Sequence, residues 1–488
     1  MAADPHSLFR PGRNCYRVAR ARRAALLIDS EAYFRAFAAA ALRATHSIVI
    51  VAWDFHSQTR LHLDEPGVPD RLGDFLNFLV RRNRRLRIFI LAWDYPVVFG
   101  RGREPPAGSD GGWQPHQRIR CHYDSNTPLG AAHHQKIVVV DGVMAFCGGI
   151  DLTLGRWDTT AHRAADPRRT NPGETEPYGP VHDVMLAVDS GAARALQGIA
   201  SERWRQGTGR ALPTAETDAD PWPASVVPLL SEVNVALART VPASAAEQAV
   251  AEVETLYLDM IAAAKRYIYI ESQYFTAKAL GEALAARLGE PHGPEVVVVS
   301  RLDSGGWLEA PTMAALRTVL LQKLHAADVH GRFQAWYPHM PAETGYDLHS
   351  KLMIVDDEWL RVGSANFANR SMGFDTECDL VIEAGGNSLK RATIAAARAT
   401  LLAGHLDVAE KDVRDAMARS GSLGAAVVGL AKKSGRTLRR FERLDEPSAA
   451  VVALANGATD PERPVFIEGE WPLGRAQPGP EVRGPSGP

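Results

Sequence analysis

The sequence predicts an α/β protein made of two related repeats, each a sandwich of strands covered by helices. Three observations predict this fold. A motif of histidine, lysine and aspartate occurs twice, short β-branched runs alternate with longer helical patterns, and the strands of the first half have counterparts in the second. We therefore expect two α/β sandwich repeats related by a pseudo-twofold axis, with the active site at their interface.

The repeat begins with a helical pattern followed by a buried strand. EAYFRAFAAAALRATH and SIVIVAWDF in the first half correspond to AEVETLYLDMIAAAKR and YIYIESQYF in the second. Two further strands follow in each half, RLRIFILAWD and RIRCHY in the first, PEVVVVSRLD and FQAWYP in the second. The order of helical and extended segments is therefore the same in both halves, which predicts a true duplication.

The next strand of each half carries the repeated motif, and a turn of small residues follows it. The six candidate catalytic residues are His134, Lys136 and Asp141 in HHQKIVVVDG, and His349, Lys351 and Asp356 in LHSKLMIVDD. The turns supply candidate phosphate-binding residues, namely Gly148, Gly149 and Asp151 in the first half, and Ser364 and Asn366 in the second. In an extended strand, side chains two residues apart share a face, so each histidine should lie beside its lysine.

The domain organisation follows from the repeat. We expect a first repeat over 1–211, a linker and the start of the second repeat over 212–250, a second repeat over 251–406, and an extension over 407–488. The last helix of the core is predicted from Ser388 to about Leu406. The extension should be helical and then basic, with 432–443 interpreted as a solvated helix face or, alternatively, an attachment to anionic lipid. The Pro/Gly-rich tail from about Pro472 is expected to be disordered, and the polar insertion 156–180 to be functional or mobile.

Composition limits the class of protein. The net charge of −2 shows no basic excess, so a nucleic-acid partner is not expected. Four separated cysteines give neither a disulfide framework nor a zinc site, and indicate a reducing compartment. No signal peptide or transmembrane segment is predicted, so the expected location is cytoplasmic, with peripheral attachment at the inner membrane face as the alternative.

Two histidines and two lysines at one interface suit phosphodiester chemistry without a metal. One imidazole can attack phosphorus while the other protonates the leaving alkoxide, and the lysines with the Asn366 amide can hold the non-bridging oxygens. A lysine inside each motif would repel a cation near His133, His134 or His349. We therefore expect no metal and no other cofactor.

A catalytic imidazole also needs an acceptor on its second nitrogen. Two acidic residues follow the motif strands, and we assign Asp183 to His134 and Glu377 to His349. Asp141 and Asp356 should brace their turns and make no contact with phosphate. Glu271, Gln273, Tyr274 and Arg156 are candidates for substrate contact. For His182, beside Asp183, two readings are open: its side chain lines the site, or it has no part in the site.

The segments HHQKIVVVDGVMAFCGGIDLTLGRWD and LHSKLMIVDDEWLRVGSANFANRSM resemble the phospholipase D superfamily, and are closest to its phosphatidylcholine-type branch. The resemblance covers about three-quarters of the chain. It implies a bilobal α/β sandwich, a metal-free phosphohistidine intermediate, and hydrolysis or transfer of a phosphatidyl group. It also implies that His134 is the nucleophile and His349 the acid. Aspartate at position 151, opposite Asn366, is typical of the phospholipase branch.

The function predicted is that of a phospholipase D, a phosphodiesterase that releases phosphatidic acid and the headgroup from a glycerophospholipid at a membrane surface. Water or an alcohol accepts the phosphatidyl group. Three alternatives stay open: a cardiolipin synthase-type phosphatidyltransferase, a nuclease of the same superfamily, and an inactive lipid-binding scaffold. One chain holds both half-sites, so we expect a monomer.

Overall fold

The computed structural model describes residues 7–94, 104–213, 217–243, 248–302, 309–341, 346–441 and 446–463. The predicted disordered tail lies outside these residues. Among the described residues, no helix combines the length and the apolar composition needed to cross a bilayer. The four cysteines are buried and unpaired.

In the described part of the first half there are eight strands and three helices. Its strands are β1 (Arg17–Ile28), β2 (Ser47–Ala52), β3 (Arg87–Trp93), β4 (Ile119–Asp124), β5 (Ile137–Val140), β6 (Met144–Gly148), β7 (Val181–His182) and β8 (Val184–Asp189). Its helices are α1 (Asp29–Ala41), α2 (Leu72–Arg82) and α3 (Ser190–Thr208).

The second half repeats this order and adds a C-terminal extension. Its strands are β9 (Leu230–Val241), β10 (Val250–Ala251), β11 (Tyr267–Ser272), β12 (Glu295–Ser300), β13 (Phe333–His339), β14 (Asp347–Leu348), β15 (Lys351–Val355), β16 (Trp359–Gly363) and β17 (Glu377–Glu383). Its helices are α4 (Glu252–Ala263), α5 (Lys278–Gly289), α6 (Glu309–Ala327), α7 (Asn369–Gly373) and α8 (Ser388–Leu406). The extension holds α9 (Glu410–Ser420), α10 (Leu423–Leu430), β18 (Thr437–Arg440) and α11 (Ala449–Leu454).

Among the residues that the structure describes, one sheet of 16 strands runs through both halves. Its first half has the order β1-β8-β6-β5-β2-β3-β4, and its second half the matching order β9-β17-β16-β15-β11-β12-β13. The halves join where β1 pairs antiparallel with β9. Because these two strands hold equivalent places in the two orders, the pairing lies on the pseudo-twofold axis, and the predicted two-repeat α/β fold is confirmed.

The strands β2, β5, β11 and β15 consist mostly of β-branched and other apolar residues, because both faces of the sheet are covered there. In β2, β5, β11 and β15 nearly every side chain is buried. Helices α1 and α2 cover one face of the first half, and α3 packs against the other face together with strands of both halves. Helix α8 has the bounds that the sequence predicted.

The basic segment 432–443 was predicted to form a solvated helix face, and this prediction is wrong for its centre. Thr437–Arg440 form the strand β18, which pairs antiparallel with β13 at the edge of the sheet. Arg439 and Arg440 are exposed there. An unpaired edge offers backbone donors and acceptors that an adjacent extended segment satisfies, and this tertiary pairing outweighs local helix propensity.

Candidate active site

The two motifs lie side by side because each docks its backbone on the other half. His134 and Lys136 precede β5, and His349 precedes β15, of which Lys351 is the first residue. The amide of His134 donates to the carbonyl of Thr376 at 2.9 Å, and the amide of His349 donates to the carbonyl of His182 at 2.8 Å. The motif histidines therefore lie just outside the strands, where the two halves meet.

The carboxylates that orient the histidines are crossed between the halves. Nδ1 of His134 lies 3.1 Å from both oxygens of Glu377, and Nδ1 of His349 lies 2.7 Å from Oδ2 of Asp183. The predicted residues are the right ones, but the predicted pairs, Asp183 with His134 and Glu377 with His349, are wrong. The reason is that each motif docks across the pseudo-twofold axis, beside the strand that carries the other half's acid.

Both orienting carboxylates are fixed by their surroundings. The hydroxyls of Ser364 and Ser371 donate to the two oxygens of Glu377. Burial raises the pKa of Glu377, and it raises the pKa of Asp183 to about 7. A Cβ atom at Gly149 would lie 2.1 Å from Oδ1 of Asp183. The predicted turn residues Gly149 and Ser364 thus contact the orienting acids in this structure.

The two lysines are buried and held by different partners. Nζ of Lys136 lies 3.1 Å from Asp151, whereas Nζ of Lys351 donates to Oε1 of Gln273 at 2.9 Å. Asp151 was predicted to bind phosphate, but its carboxylate is engaged by Lys136 and by the amide of Trp53 at 3.1 Å. A buried carboxylate opposite a lysine is a charge partner, and an anion beside it would be repelled.

Two of the predicted turn residues have less defined partners. Gly148 closes β6, where a Cβ would lie 2.5 Å from the carbonyl of Val184. Asn366 is buried, and its backbone N–H donates to the hydroxyl of Ser371. Its side-chain Oδ1 has no hydrogen-bond partner among the described residues. The carboxamide of Asn366 therefore keeps polar capacity at the site.

The electrostatics favour uncharged histidines before substrate binds. Burial lowers the pKa of His134 and of His349 well below the usual range, and the positive charges of Lys136 and Lys351 lower both further. Arg156 also lowers the pKa of His349. Burial lowers the pKa of Lys351 to about 7. A phosphodiester anion would offset these positive charges, so the site suits an anionic group.

Asp141 and Asp356 lie at the far ends of the motif strands and brace turns, as expected. The carboxylate of Asp141 accepts hydrogen bonds from the amides of Thr45, His46 and Ser47, at 2.7 to 2.8 Å. That of Asp356 accepts from the amides of the equivalent residues of the second half, Lys265, Arg266 and Tyr267. Both residues have left-handed backbone, with φ of 53° and 55°.

The candidates for substrate contact fall into two groups. Gln273 bonds to Lys351 and to the hydroxyl of Tyr274, which in turn contacts Glu309, and Arg156 lies 3.9 Å from Asp347. Glu271 was also proposed to contact substrate, and His182 to line the site. Each was one of two open readings, and the structure favours the other, because these two side chains are buried against each other at 3.0 Å behind the motif.

Sequence reasoning did not find Asp29 or His162, which also belong to that buried group. Oδ1 of Asp29 lies 2.8 Å from Nδ1 of His182, and Oδ2 of Asp29 lies 3.3 Å from Nε2 of His162. Asp29 starts α1 with a φ of 66°. Neither residue belongs to a recognisable local motif, so only the folded arrangement of distant segments identifies them.

Comparison with known proteins places this geometry in a family. A family model described as phospholipase D matches residues 115–281, and a model described as cardiolipin synthase, phospholipase D-like domain, matches residues 257–394. Two similar proteins are phospholipase D A of Dictyostelium discoideum, 24% identical over 73% of this chain and 32% of that one, and phospholipase D alpha 1 of Carica papaya, 24% identical over 67% and 57%. The chain thus spans between a third and three-fifths of the length of these relatives.

The fold has a solved counterpart. The crystal structure of phosphatidylserine synthase from Haemophilus influenzae superposes with a TM-score of 0.55 at 11% identity, covering 80% of this chain and 89% of that one. Fold and site together define a two-repeat protein with a shared His/Lys centre. The chain belongs to the phospholipase D superfamily and is similar to its phosphatidylcholine-type branch.

Proposed function

We propose that the protein is a phospholipase D, which hydrolyses the distal phosphodiester of a glycerophospholipid to phosphatidic acid and a free headgroup alcohol. The observation that carries this proposal is the pair of crossed histidine–carboxylate contacts. Because Nδ1 of His134 faces Glu377 and Nδ1 of His349 faces Asp183, Nε2 is the nitrogen that each imidazole can turn to a phosphate.

In the first step, Nε2 of His134 attacks phosphorus and the bond from phosphorus to the headgroup oxygen breaks. His349, protonated on Nε2, donates that proton to the leaving alkoxide. Binding of the phosphodiester anion beside Lys136 and Lys351 raises the pKa of His349, which makes this protonation favourable. General acid catalysis of this type contributes about 10²–10⁴-fold.

In the second step, water attacks phosphorus and the phosphorus–nitrogen bond to His134 breaks. His349 takes the proton from water, so both histidines return to their starting states. An alcohol in place of water gives a new phosphodiester by the same route. Lys351, held by Gln273, and Lys136, paired with Asp151, balance the negative charge of the phosphoryl oxygens in both steps.

The partner that follows is a glycerophospholipid at a membrane surface, with water or an alcohol as acceptor. Residues 1–211 and 251–406 act as the two repeats, joined through 212–250 and followed by the extension 407–488. Both half-sites lie in one chain, which supports a monomer. A nucleic-acid substrate is disfavoured because the net charge of −2 shows no basic excess.

A second candidate is a phosphatidyltransferase of the cardiolipin synthase type. The match of residues 257–394 to a cardiolipin synthase model favours it. Against it stands Asp151, because aspartate in the first turn, opposite Asn366 in the second, is typical of the phospholipase branch that the motifs resemble. The two candidates differ in acceptor, water or a small alcohol in one case and phosphatidylglycerol in the other.

The experiment supplies phosphatidylcholine vesicles and measures choline and phosphatidic acid together. Wild-type protein should release both in equal amounts, His134→Ala and His349→Ala should release neither, and His292→Ala, at an exposed turn, should match wild type. Conversion of phosphatidylglycerol without choline release would favour the transferase, and salt-sensitive cleavage of DNA would favour a nuclease. Lipid binding without turnover of any substrate would favour the scaffold.

A further inference from the structure

A buried imidazole stands between two carboxylates directly behind the site. His182 is 3% exposed, with Nδ1 2.8 Å from Oδ1 of Asp29 and Nε2 3.0 Å from Oε2 of Glu271. Asp29 comes from the first half and Glu271 from the second. A carboxylate oxygen accepts and does not donate, so both contacts are hydrogen bonds only when both ring nitrogens of His182 carry a proton.

The same residues hold the backbone of the catalytic pair. The carbonyl of His182 accepts from the amide of His349 at 2.8 Å, and Oε2 of Glu271 accepts from the hydroxyl of Ser350 at 2.7 Å. Asp183 is the next residue after His182, and its own carboxylate bonds to His349. Both members of the Asp183–His349 contact are therefore chain neighbours of groups fixed by this buried cluster.

We propose that His182 is a positioning residue, held as a buried imidazolium between Asp29 and Glu271, that fixes Asp183 against Nδ1 of His349. An imidazolium replaced by a neutral group would leave one buried carboxylate without its counter-charge, which is costly. The strand pair β7–β14, which carries His182 and ends beside His349, would then lose its anchor. This role deepens the proposed phospholipase D function and rests on it.

The surrounding groups support the positive charge on His182. Burial alone would lower the pKa of His182, but the charges of Asp29 and Glu271 raise it well above the usual range. The other titratable groups at this cluster include two histidines, His162, 3.3 Å from Asp29, and His405, 3.1 Å from Glu271. Asp158 lies 3.0 Å from His162, and the hydroxyl of Tyr269 donates to Glu271 at 2.7 Å. The pKa of His405 is lowered, chiefly by burial, so His182 is the ring beside Glu271 that carries the positive charge. Burial would also lower the pKa of His162, but Asp29 and Asp158 raise it, so His162 is a second charged ring on the far side of Asp29.

The contact lengths favour a proton over a metal ion. Histidine and carboxylate are residue types that bind zinc, and Asp29, His162 and His182 lie close enough to share an ion. Two ligands each about 2.0–2.1 Å from a tetrahedral zinc would lie roughly 3.3 Å apart. The 2.8 and 3.0 Å contacts of His182 are instead the lengths of direct hydrogen bonds.

The charge on His182 is tested directly by nitrogen-15 NMR of histidine-labelled full-length protein at pH 8.5. We expect an imidazole signal with both nitrogens protonated that disappears in His182→Gln and persists in His405→Gln. His162, whose pKa is also raised, is identified separately by the signal lost in His162→Gln. A neutral His182 at this pH, or a metal ion bound in a one-to-one ratio on elemental analysis, would overturn the proposal. This measurement does not depend on substrate, so it stands even if the proposed activity is absent.

The positioning role is tested with two leaving groups. His349 must protonate the alkoxide of choline, which is a poor leaving group, whereas p-nitrophenolate leaves without a proton from an acid. For His182→Gln we expect kcat with phosphatidylcholine to fall about 10–100-fold, a size typical of losing a partner that orients an active-site ligand. Little change in KM is expected. With phosphatidyl-p-nitrophenol, the first-turnover release of p-nitrophenol, measured by rapid quench, should slow less than about threefold, because that step needs no acid.

The matched control is His405→Gln, which removes an equally buried histidine from the other oxygen of Glu271. It should lose far less kcat with phosphatidylcholine than His182→Gln, because His405 carries no backbone contact to His349. Equal losses for the two variants would mean that His182 serves only the stability of the fold. A first-turnover loss with phosphatidyl-p-nitrophenol as large as the loss with phosphatidylcholine would mean the same, and the positioning role would be wrong. A wild type inactive on both substrates would instead contradict the proposed function.

Discussion

Asp183 and His349 belong to different repeats, yet Oδ2 of Asp183 lies 2.7 Å from Nδ1 of His349. The equivalent contact of the other repeat, between Glu377 and His134, crosses in the opposite direction at 3.1 Å. Neither repeat alone therefore holds a histidine with its orienting carboxylate. The duplicated chain needs both halves folded together before either imidazole is positioned.

The crossed pairs predict different kinetic defects for the two acids. Glu377→Gln should slow attack by His134, so formation of a covalent adduct from phosphatidyl-p-nitrophenol should fall about 10²–10⁴-fold. Asp183→Asn should leave adduct formation nearly intact but slow its hydrolysis, because His349 activates water. Rapid-quench measurement of p-nitrophenol and adduct separates the steps. If Asp183→Asn slowed adduct formation and Glu377→Gln slowed hydrolysis, each acid would orient the histidine of its own repeat, which would contradict the structure.

Asp141 is predicted to act on stability and leave the chemistry unchanged. Asp141→Ala removes the acceptor for three amides and the Thr45 hydroxyl, and should lower the free energy of unfolding by at least about 2 kcal/mol. Asp141→Asn keeps one acceptor and tolerates the left-handed backbone, so its loss should be smaller. Urea unfolding measures both. A stable Asp141→Ala protein with kcat reduced a hundredfold would show instead that Asp141 takes part in catalysis.

Gly149 is predicted to be required for the position of Asp183. A methyl group at this position would meet the Asp183 carboxylate, so Gly149→Ala should reduce kcat at least about tenfold and destabilise the protein by about 1–3 kcal/mol. Gly198→Ala is the control, since Gly198 lies in helix α3 with open space around it. There alanine should stabilise by up to about 1 kcal/mol with unchanged activity. Similar results for both glycines would mean that the contact with Asp183 is unimportant.

The protonation of Lys351 predicts the pH dependence of substrate capture. Burial lowers the pKa of Lys351 to about 7, so its positive charge is present below that pH and lost above it. The value of kcat/KM for an anionic phosphodiester should accordingly fall as the pH rises through about 7. Gln273→Glu places an anion beside Nζ of Lys351 and should move this descending limb up by about 1 pH unit or more. Gln273→Met, which adds no charge, should not move it upward.

The sequence was sufficient to predict the repeats and the residue types of the site, because strand patterns and motif spacing are local properties. Helix α8 was predicted from Ser388 to Leu406 on the same grounds. The pairing of Asp183 and Glu377 was not predictable, since it depends on which half each motif docks against. The strand β18 was missed because its partner β13 lies some hundred residues earlier in the chain.

Asp151 shows a second limit of sequence reasoning. Its turn resembles the turn that holds Asn366, and the two residues were therefore expected to play the same part. The structure pairs Asp151 with Lys136, whereas Oδ1 of Asn366 has no partner among the described residues. A change from amide to carboxylate reverses which neighbours are favourable, and burial makes that difference large.

The most direct test of the central claim is mass spectrometry of the intact protein, quenched without acid after brief mixing with phosphatidyl-p-nitrophenol in detergent micelles. In His349→Ala the first step proceeds without an acid and the second is blocked, so a phosphatidyl adduct should build up on His134. It should be absent from the double variant His134→Ala/His349→Ala. An adduct located on another residue, or p-nitrophenol release by His349→Ala without any adduct, would contradict a mechanism in which His134 is the nucleophile and His349 the proton carrier.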